Sequence, residues 1–149
     1  MRFIRPAAAK DFARLAEIEI FNYRLFFYPI FQNDEFYFDE LQVPSALAQY
    51  QQDKSALSEV FVYDDGVVKG FIRISGTEIK KLFVEPALQG RGIGAVLLAF
   101  ATDMHQCDNL WALEKNTRAI AFYKRHGFSI TAERKTEEDT DEYLVRLAR

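Results

Sequence analysis

The sequence predicts an α/β (α+β) domain in which a mixed sheet of about seven strands carries helices on both faces. Short apolar runs typical of strands recur along the chain, and stretches with apolar residues every three or four positions lie between them. The resulting order is β, α, α, β, β, β, α, β, α, β, β. At 149 residues and 49% apolar content, the chain suits a single domain covering residues 1–149.

The strands are predicted from apolar runs bounded by turn residues. Asp65 and Gly66 are a strong turn signal, so the two strands beside them form a predicted hairpin. The seven predicted strands cover residues 2–5, 60–63, 67–74, 79–84, 110–113, 129–134 and 142–147.

The helices are predicted from apolar periodicity and from capping residues. The second helix covers residues 44–52, and the fourth has Asn116 as its N-cap and Gly127 as its C-cap. The first helix starts at Ala8 or Asp11, and its expected buried face comprises Leu15, Ile18, Phe21 and Leu25. The third starts at Ile93, and its expected buried face comprises Val96, Leu97, Phe100, Ala101 and Met104.

A glycine-rich segment lies between the fourth strand and the third helix, and it comprises Gln89, Gly90, Arg91, Gly92, Ile93 and Gly94. Glycine lets the backbone approach a ligand closely, and the first amides of a helix have no partner within it. The segment therefore predicts an anion-binding site. Ala95 and Val96 stand where a P-loop has Lys and Ser or Thr, and the spacing G-x-G-x-G differs from the dinucleotide fingerprint. ATP, GTP and nicotinamide ligands are therefore disfavoured.

Two motifs resemble the GNAT superfamily of N-acetyltransferases. The first is Gln-Gly-Arg-Gly-Ile-Gly after a strand that ends with Leu82, Phe83 and Val84. The second is Asn-Thr-Arg-Ala-Ile-Ala-Phe-Tyr-Lys-Arg-His-Gly-Phe, from Asn116 to Phe128. The resemblance implies the family's mostly antiparallel sheet, acetyl coenzyme A (acetyl-CoA) as cosubstrate, and direct transfer of the acetyl group to a primary amine in a ternary complex.

The resemblance also implies roles for individual residues. The segment Gln89 to Gly94 would bind the pyrophosphate of acetyl-CoA, and the backbone from Leu82 to Val84 would pair with the pantetheine arm, which Asn116 would hold. Tyr123 would contact the coenzyme and protonate the departing thiolate as general acid. A half-buried tyrosine with a satisfied hydroxyl is the open alternative for Tyr123.

An amine with a pKa near 10 needs a group that accepts its proton. Glu78, at the start of the strand and where members of the family often carry a glutamate, is the candidate general base. It equally suits a surface carboxylate that pairs with Lys80 or Lys81, with ordered water taking the proton. Cys107 with His105 would offer an acetyl-cysteine route, but residues two apart do not share a helical face and free cysteines are usually buried.

The amine acceptor is the least defined part of the hypothesis. Acidic residues among aromatic ones lie between Asp34 and Glu40, and a second acidic cluster lies between Glu137 and Glu142. Each suits a pocket for a cationic amine of a small molecule, peptide or protein, but solvated loop carboxylates over core aromatic residues are the more common case. The alternative function is a non-catalytic module that binds acyl-CoA.

Composition bears on the remaining partners. The net charge of -3 without a basic cluster argues against nucleic acid, and no apolar run reaches the ~18 residues of a membrane span. One cysteine and two separated histidines predict no metal site. We expect a cytoplasmic protein, because charges interrupt the N-terminal segment, and the aromatic residues of the first fifty positions are compatible with a homodimer.

Overall fold

A computed structural model describes residues 1–149 and contains one seven-stranded sheet. The order across the sheet is β1-β2-β3-β4-β5-β7-β6, and every neighbouring pair is antiparallel except β4 with β5. The predicted mixed, mostly antiparallel sheet is therefore confirmed. The strands are β1 Ile4–Pro6, β2 Val60–Asp64, β3 Val68–Ser75, β4 Glu78–Val84, β5 Asn109–Leu113, β6 Ser129–Thr136 and β7 Tyr143–Ala148.

Six α-helices accompany the sheet, and none is long and apolar enough to cross a bilayer. Two π-helical turns are present. Tyr23–Phe27 lies where the first helix was predicted to continue to Leu25, and Phe36–Glu40 lies in the aromatic and acidic segment for which the sequence predicts no element. Such turns are rare and often occur at functional sites. The helices are α1 Phe12–Asn22, α2 Tyr28–Phe31, α3 Val43–Gln52, α4 Ala56–Glu59, α5 Ile93–Met104 and α6 Thr117–Arg125.

Two hydrophobic cores lie on opposite faces of the sheet, as the expectation of helices on both faces requires. One core packs α1 and α3 against β2 and β3, with Leu15 and Phe71 fully buried. The other packs α5 and α6 against β3, β4, β5 and β7, with Leu97, Phe128 and Leu147 almost fully buried. Burial of each large apolar side chain stabilises its layer by roughly 1.5–3 kcal/mol.

Strand β4 carries a β-bulge that opens one edge of the sheet. Arg73 pairs with Lys81 and Ile74 pairs with Ile79, so Lys80 is an extra residue without a partner on β3. A bulge bends its strand and increases the local twist. Accordingly β4 pairs with β5 only over its first two residues. Its remaining length therefore has one edge free beside β5.

The predicted buried faces of two helices are wrong at four positions. Phe21 and Leu25 are 37% and 55% exposed, and Val96 and Met104 are 37% and 57% exposed. Leu25 falls in the π-helical turn, which breaks the helical period from which its burial was predicted. Met104 is the last residue of α5, and the sheet covers a narrower stripe than the apolar periodicity indicates.

Candidate functional site

A cavity of about 460 Å³ lies at the free edge of β4, between the N-terminus of α5 and helix α6. The cavity is lined by all of the predicted site residues except Glu78 and Arg91. These lining residues are Leu82, Phe83, Val84, Gln89, Gly90, Gly92, Ile93, Gly94, Asn116 and Tyr123. Two motifs that are separate in the sequence therefore form one site.

The glycine-rich segment presents backbone amides to this cavity. Gly90 and Gly92 have φ of +80° and +85°, a conformation that side-chain-bearing residues rarely adopt, and Gly92 is the N-cap of α5. The first hydrogen bond of the helix runs from Val96 N to the Gly92 carbonyl, so the three N–H groups between them have no partner within the helix. No side chain caps this helix end. The amides therefore suit an anionic ligand such as a diphosphate.

The Gln89 side chain points inward and ties the glycine segment to the rest of the fold. Its Nε2 donates to the Asn22 Oδ1 and to the Val84 carbonyl, both at 3.0 Å. The buried Asn22 amide also donates to the Val84 carbonyl, at 2.9 Å. Arg118 donates to the Gln89 Oε1, and its guanidinium lies 4.3 Å from the centre of the Phe26 ring. The Gln89 side chain is therefore occupied by contacts within the fold, and only the main-chain groups of Gln89 are available to a ligand.

Alternate residues of β4 direct their main-chain groups to the cavity. The Glu85 N–H donates to the Lys69 carbonyl of β3, which fixes the side of the strand that β3 occupies. Because these groups alternate along a strand, those of Leu82 and Val84 point to the free edge. Asn22 and Gln89 already occupy the Val84 carbonyl. An extended ligand can therefore pair with the edge only up to Val84.

Helix α6 places Asn116 and Tyr123 on the opposite wall of the cavity. Asn116 is the predicted N-cap, since its Oδ1 accepts from the Ala119 N–H at 3.3 Å, and Gly127 follows the helix with φ of +93°. Tyr123 is only 9% exposed and lines the cavity. Every fully buried polar side-chain atom has a hydrogen-bond partner, so the Tyr123 hydroxyl, which has none within the chain, keeps some exposure. Burial raises the pKa of that hydroxyl well above its usual value. The hydroxyl therefore stays protonated at neutral pH and is available to donate a proton or hydrogen bond.

Two predicted residues lie outside the cavity. The Glu78 Oε2 is 3.5 Å from the Lys80 Nζ, and Glu78 lies at the far end of β4 from the glycine segment. Arg91 is exposed. Their assigned roles remain predictions, and a role for Glu78 as base requires intervening water.

The cavity wall also includes residues that the sequence did not indicate. Arg118 and Arg125 on α6, and His126 directly after it, supply positive charge or hydrogen-bonding capacity. Asn22 and Phe27 come from the first helical segment. The two arginines are seven residues apart, close to two helical turns, so their shared side was open to prediction. Asn22 and Phe27 gave no such signal, because only the packing of α1 beside β4 brings them to the site.

The single cysteine is remote from this chemistry. Cys107 is 2% exposed and does not line the cavity. Burial, together with the charge of Asp108, raises the pKa of its thiol to about 11. Such a thiol is mostly un-ionised at neutral pH and is a poor nucleophile. No group of three or more His, Cys, Asp or Glu side chains is arranged to hold a metal ion.

Comparison with curated proteins finds relatives that share about half of the chain. Peptidyl-lysine N-acetyltransferase YjaB of Salmonella typhimurium is 32% identical over 79 residues, 53% of this chain and 54% of the relative. YjaB of Escherichia coli is 34% identical over 80 residues, with the same coverage. The chain thus spans about half the length of the curated relatives that it matches.

Solved structures share the fold over almost the whole chain. The apo form of YjaB from Escherichia coli has a TM-score of 0.75 at 22% identity, over 97% of this chain and 95% of that one. PaiA N-acetyltransferase from Thermoplasma acidophilum, in complex with coenzyme A, has a TM-score of 0.69 at 18% identity, over 98% of both chains. The family model of the acetyltransferase (GNAT) domain matches residues 56–130, which include β4, the glycine segment and α6. The chain therefore belongs to the GNAT acetyltransferase family.

Proposed function

We propose that this protein transfers the acetyl group of acetyl-CoA directly to a primary amine in a ternary complex, with Tyr123 as general acid. One observation carries the proposal: Tyr123 lines the cavity, and its hydroxyl has no partner within the chain and keeps some exposure. A hydroxyl with a structural role only would be expected to hydrogen-bond within the fold. Burial raises the pKa of Tyr123, so the hydroxyl carries its proton at neutral pH and can donate a hydrogen bond to the developing thiolate.

The other residues of the cavity bind and orient the cosubstrate. Acetyl-CoA supplies the activated thioester. The amides of the glycine segment and the guanidinium groups of Arg118 and Arg125 suit its phosphates, and the edge of β4 at Leu82 suits the amides of its pantetheine arm. The buried Cys107 has no access to this cavity, which favours direct transfer over an acetyl-cysteine intermediate.

Deprotonation of the amine is assigned to Glu78 acting through water. Four residues separate Glu78 from Leu82, about 13 Å along an extended strand, so direct contact of the carboxylate with the reacting nitrogen is not expected. The names of the curated relatives support an amine acceptor, since they are peptidyl-lysine N-acetyltransferases. A peptide or protein lysine is therefore the first acceptor to test.

The experiment compares Tyr123→Phe with the wild type for thiol release and for acetyl-CoA binding. We expect kcat to fall about 100-fold with an unchanged Kd, because only proton donation is lost. Tyr143→Phe is the matched control, since Tyr143 is an exposed tyrosine that does not line the cavity, and it should retain full activity. Equal losses of binding and rate would give Tyr123 a structural role.

The alternative, a non-catalytic acyl-CoA module, predicts a different outcome. It would bind acetyl-CoA but release no thiol with lysine peptides, diamines or protein amino termini. The free Tyr123 hydroxyl favours the enzyme, because coenzyme binding alone does not need a proton donor in the cavity. Release of thiol with any amine, lost in Tyr123→Phe, rejects the module.

A further inference from the structure

A second cavity, of about 430 Å³, lies on the other side of Phe27 from the first. Phe27 lines both cavities. Its ring centre is 4.8 Å from that of Tyr23, and Tyr23 packs edge-to-face on Phe83, which lines the first cavity. Three aromatic rings thus separate the two spaces. The rings that line the second cavity belong to Tyr23, Phe27, Phe31, Phe36 and Tyr37.

Carboxylates from the loop between β6 and β7 form the rim of this cavity, and no Lys, Arg or His side chain lines it. The three acids are Glu137, Glu138 and Asp139. None of the three is in an ion pair, whereas the neighbouring Glu133 and Glu142 pair with Arg146 and Lys115. The three acids that face the cavity are therefore all without a cation.

A buried hydroxyl inside the cavity also lacks a partner. Tyr37 is 4% exposed, lines the cavity and makes no side-chain hydrogen bond within the chain. Every fully buried polar side-chain atom has a partner, so the Tyr37 hydroxyl must keep some exposure, and the cavity is the space beside it. Burial, with the charge of Glu137 nearby, raises the pKa of Tyr37 to about 12. The hydroxyl is thus protonated and close to a rim carboxylate.

We propose that the second cavity binds the acceptor as a primary ammonium on an unbranched aliphatic stem, the chemistry of a lysine side chain; this inference rests on the proposed function. The stem lies against the aromatic rings, whose faces also attract the ammonium. The ammonium donates to the rim carboxylates and to the Tyr37 oxygen, and it has three hydrogens for them. The volume suits one such side chain. Anionic acceptors are repelled by the rim.

The position of the second cavity suits an acceptor that binds there before its nitrogen reaches the thioester. The acceptor nitrogen would pass Phe27 to reach the edge of β4, where Leu82 lines the first cavity. The transfer step then forms a C–N bond and breaks the C–S bond of the thioester. The nitrogen loses one proton to water or a base, and the thiolate gains one from the Tyr123 hydroxyl.

The test measures cation binding without chemistry. Protonated n-butylamine is a primary ammonium on an unbranched stem and cannot be acetylated without acetyl-CoA, so its Kd is determined from the NMR shifts of the cavity rings in the absence of the coenzyme. The variant Glu138→Gln with Asp139→Asn should raise this Kd about tenfold, and Tyr37→Phe should raise it about threefold. Asn tolerates the positive φ of position 139, so the fold is retained.

The matched control is Asp103→Asn with Asp141→Asn, which removes the same charge from exposed acids outside the cavity. It should leave the Kd unchanged. Equal effects of the two double variants would reduce the result to net charge and overturn the inference.

A second measurement separates the two proposals. With a lysine peptide and with cadaverine as acceptors, the rim variant should raise the KM of the amine about tenfold and leave the KM of acetyl-CoA unchanged. A rise in the amine KM with both acceptors supports the inference. The ratio of their kcat/KM values shows whether a peptide lysine or a free diamine is preferred. Acetyl transfer that is indifferent to the rim overturns the inference alone. Cation binding without transfer to any amine overturns the proposed function alone.

Discussion

The two cavities beside Phe27 are built from different parts of the chain. The first uses backbone amides and small residues of two short motifs, so its main features follow from local sequence. The second uses side chains from residues 23–37 and 137–140, which are remote in sequence. The comparison shows that a cavity wall of main-chain groups follows from local patterns, whereas a wall of side chains depends on which distant segments meet.

The largest expected effect concerns Glu19, the buried carboxylate that holds the hydroxyl of Tyr23, a lining residue of the second cavity. Glu19 is buried, and its carboxylate accepts from Lys81 at 2.5 Å and from the hydroxyls of Tyr23 and Tyr50 at 3.2 and 3.3 Å. Lys81→Met should lower the free energy of unfolding by about 2 kcal/mol, because a buried carboxylate loses its cation. Urea denaturation measures this change. Lys80→Met is the control, since Lys80 is exposed, and it should change stability by less than about 0.5 kcal/mol.

The next effect tests the backbone character of the first cavity. Gly92→Ala should raise the Kd of acetyl-CoA about tenfold and leave amine binding unchanged, because a side chain strains the left-handed N-cap and displaces the amides. Gly76→Ala is the control. Gly76 also has positive φ, of +60°, and also has open space around it, but it lies in the turn before β4. Equal affinities of the two variants for acetyl-CoA would contradict the role of the segment.

A smaller effect is expected for Glu78, the predicted general base, which lines neither cavity. Glu78→Gln should lower kcat/KM about fivefold, less than for a base in contact with substrate, because water can transfer the proton without it. Lys80→Met removes the partner of Glu78 but keeps the carboxylate, and it should stay near the wild-type rate. If the two variants lose activity equally, the ion pair matters and the base does not.

The smallest effect is expected at the thiol. Cys107→Ala should keep kcat/KM within about twofold, because no step uses a cysteine nucleophile. Iodoacetamide should label the folded protein slowly at pH 8 and faster as the pH rises towards the thiol pKa of about 11, since the reactive thiolate then accumulates. Loss of activity in Cys107→Ala, with the fold retained, would revive the acetyl-cysteine route.

Much of the first cavity was open to prediction from the chain alone. The glycine spacing, the Asn116 cap and the strand before the loop are local features, and the structure has them where they were expected. The inward Gln89 side chain was not open to prediction, because its partners Asn22 and Val84 meet only through packing of α1 on β4. The exposure of Met104 was missed because periodicity does not say where a covering layer ends, and that of Leu25 was missed because a π-helical turn interrupts the period.

By itself, the sequence determined the order of the strands and of the four longer helices, the glycine-rich turn and the family, but it missed the short helices α2 and α4. These depend on φ preferences, capping and periodicity, which act over a few residues. Only the tertiary structure decided three features. They are the length over which β4 separates from β5, the division of the site into two cavities by Phe27, and the set of acids that are in no ion pair. Those properties depend on contacts between segments as much as a hundred residues apart, and the register of a bulged strand and the path of a loop set such contacts.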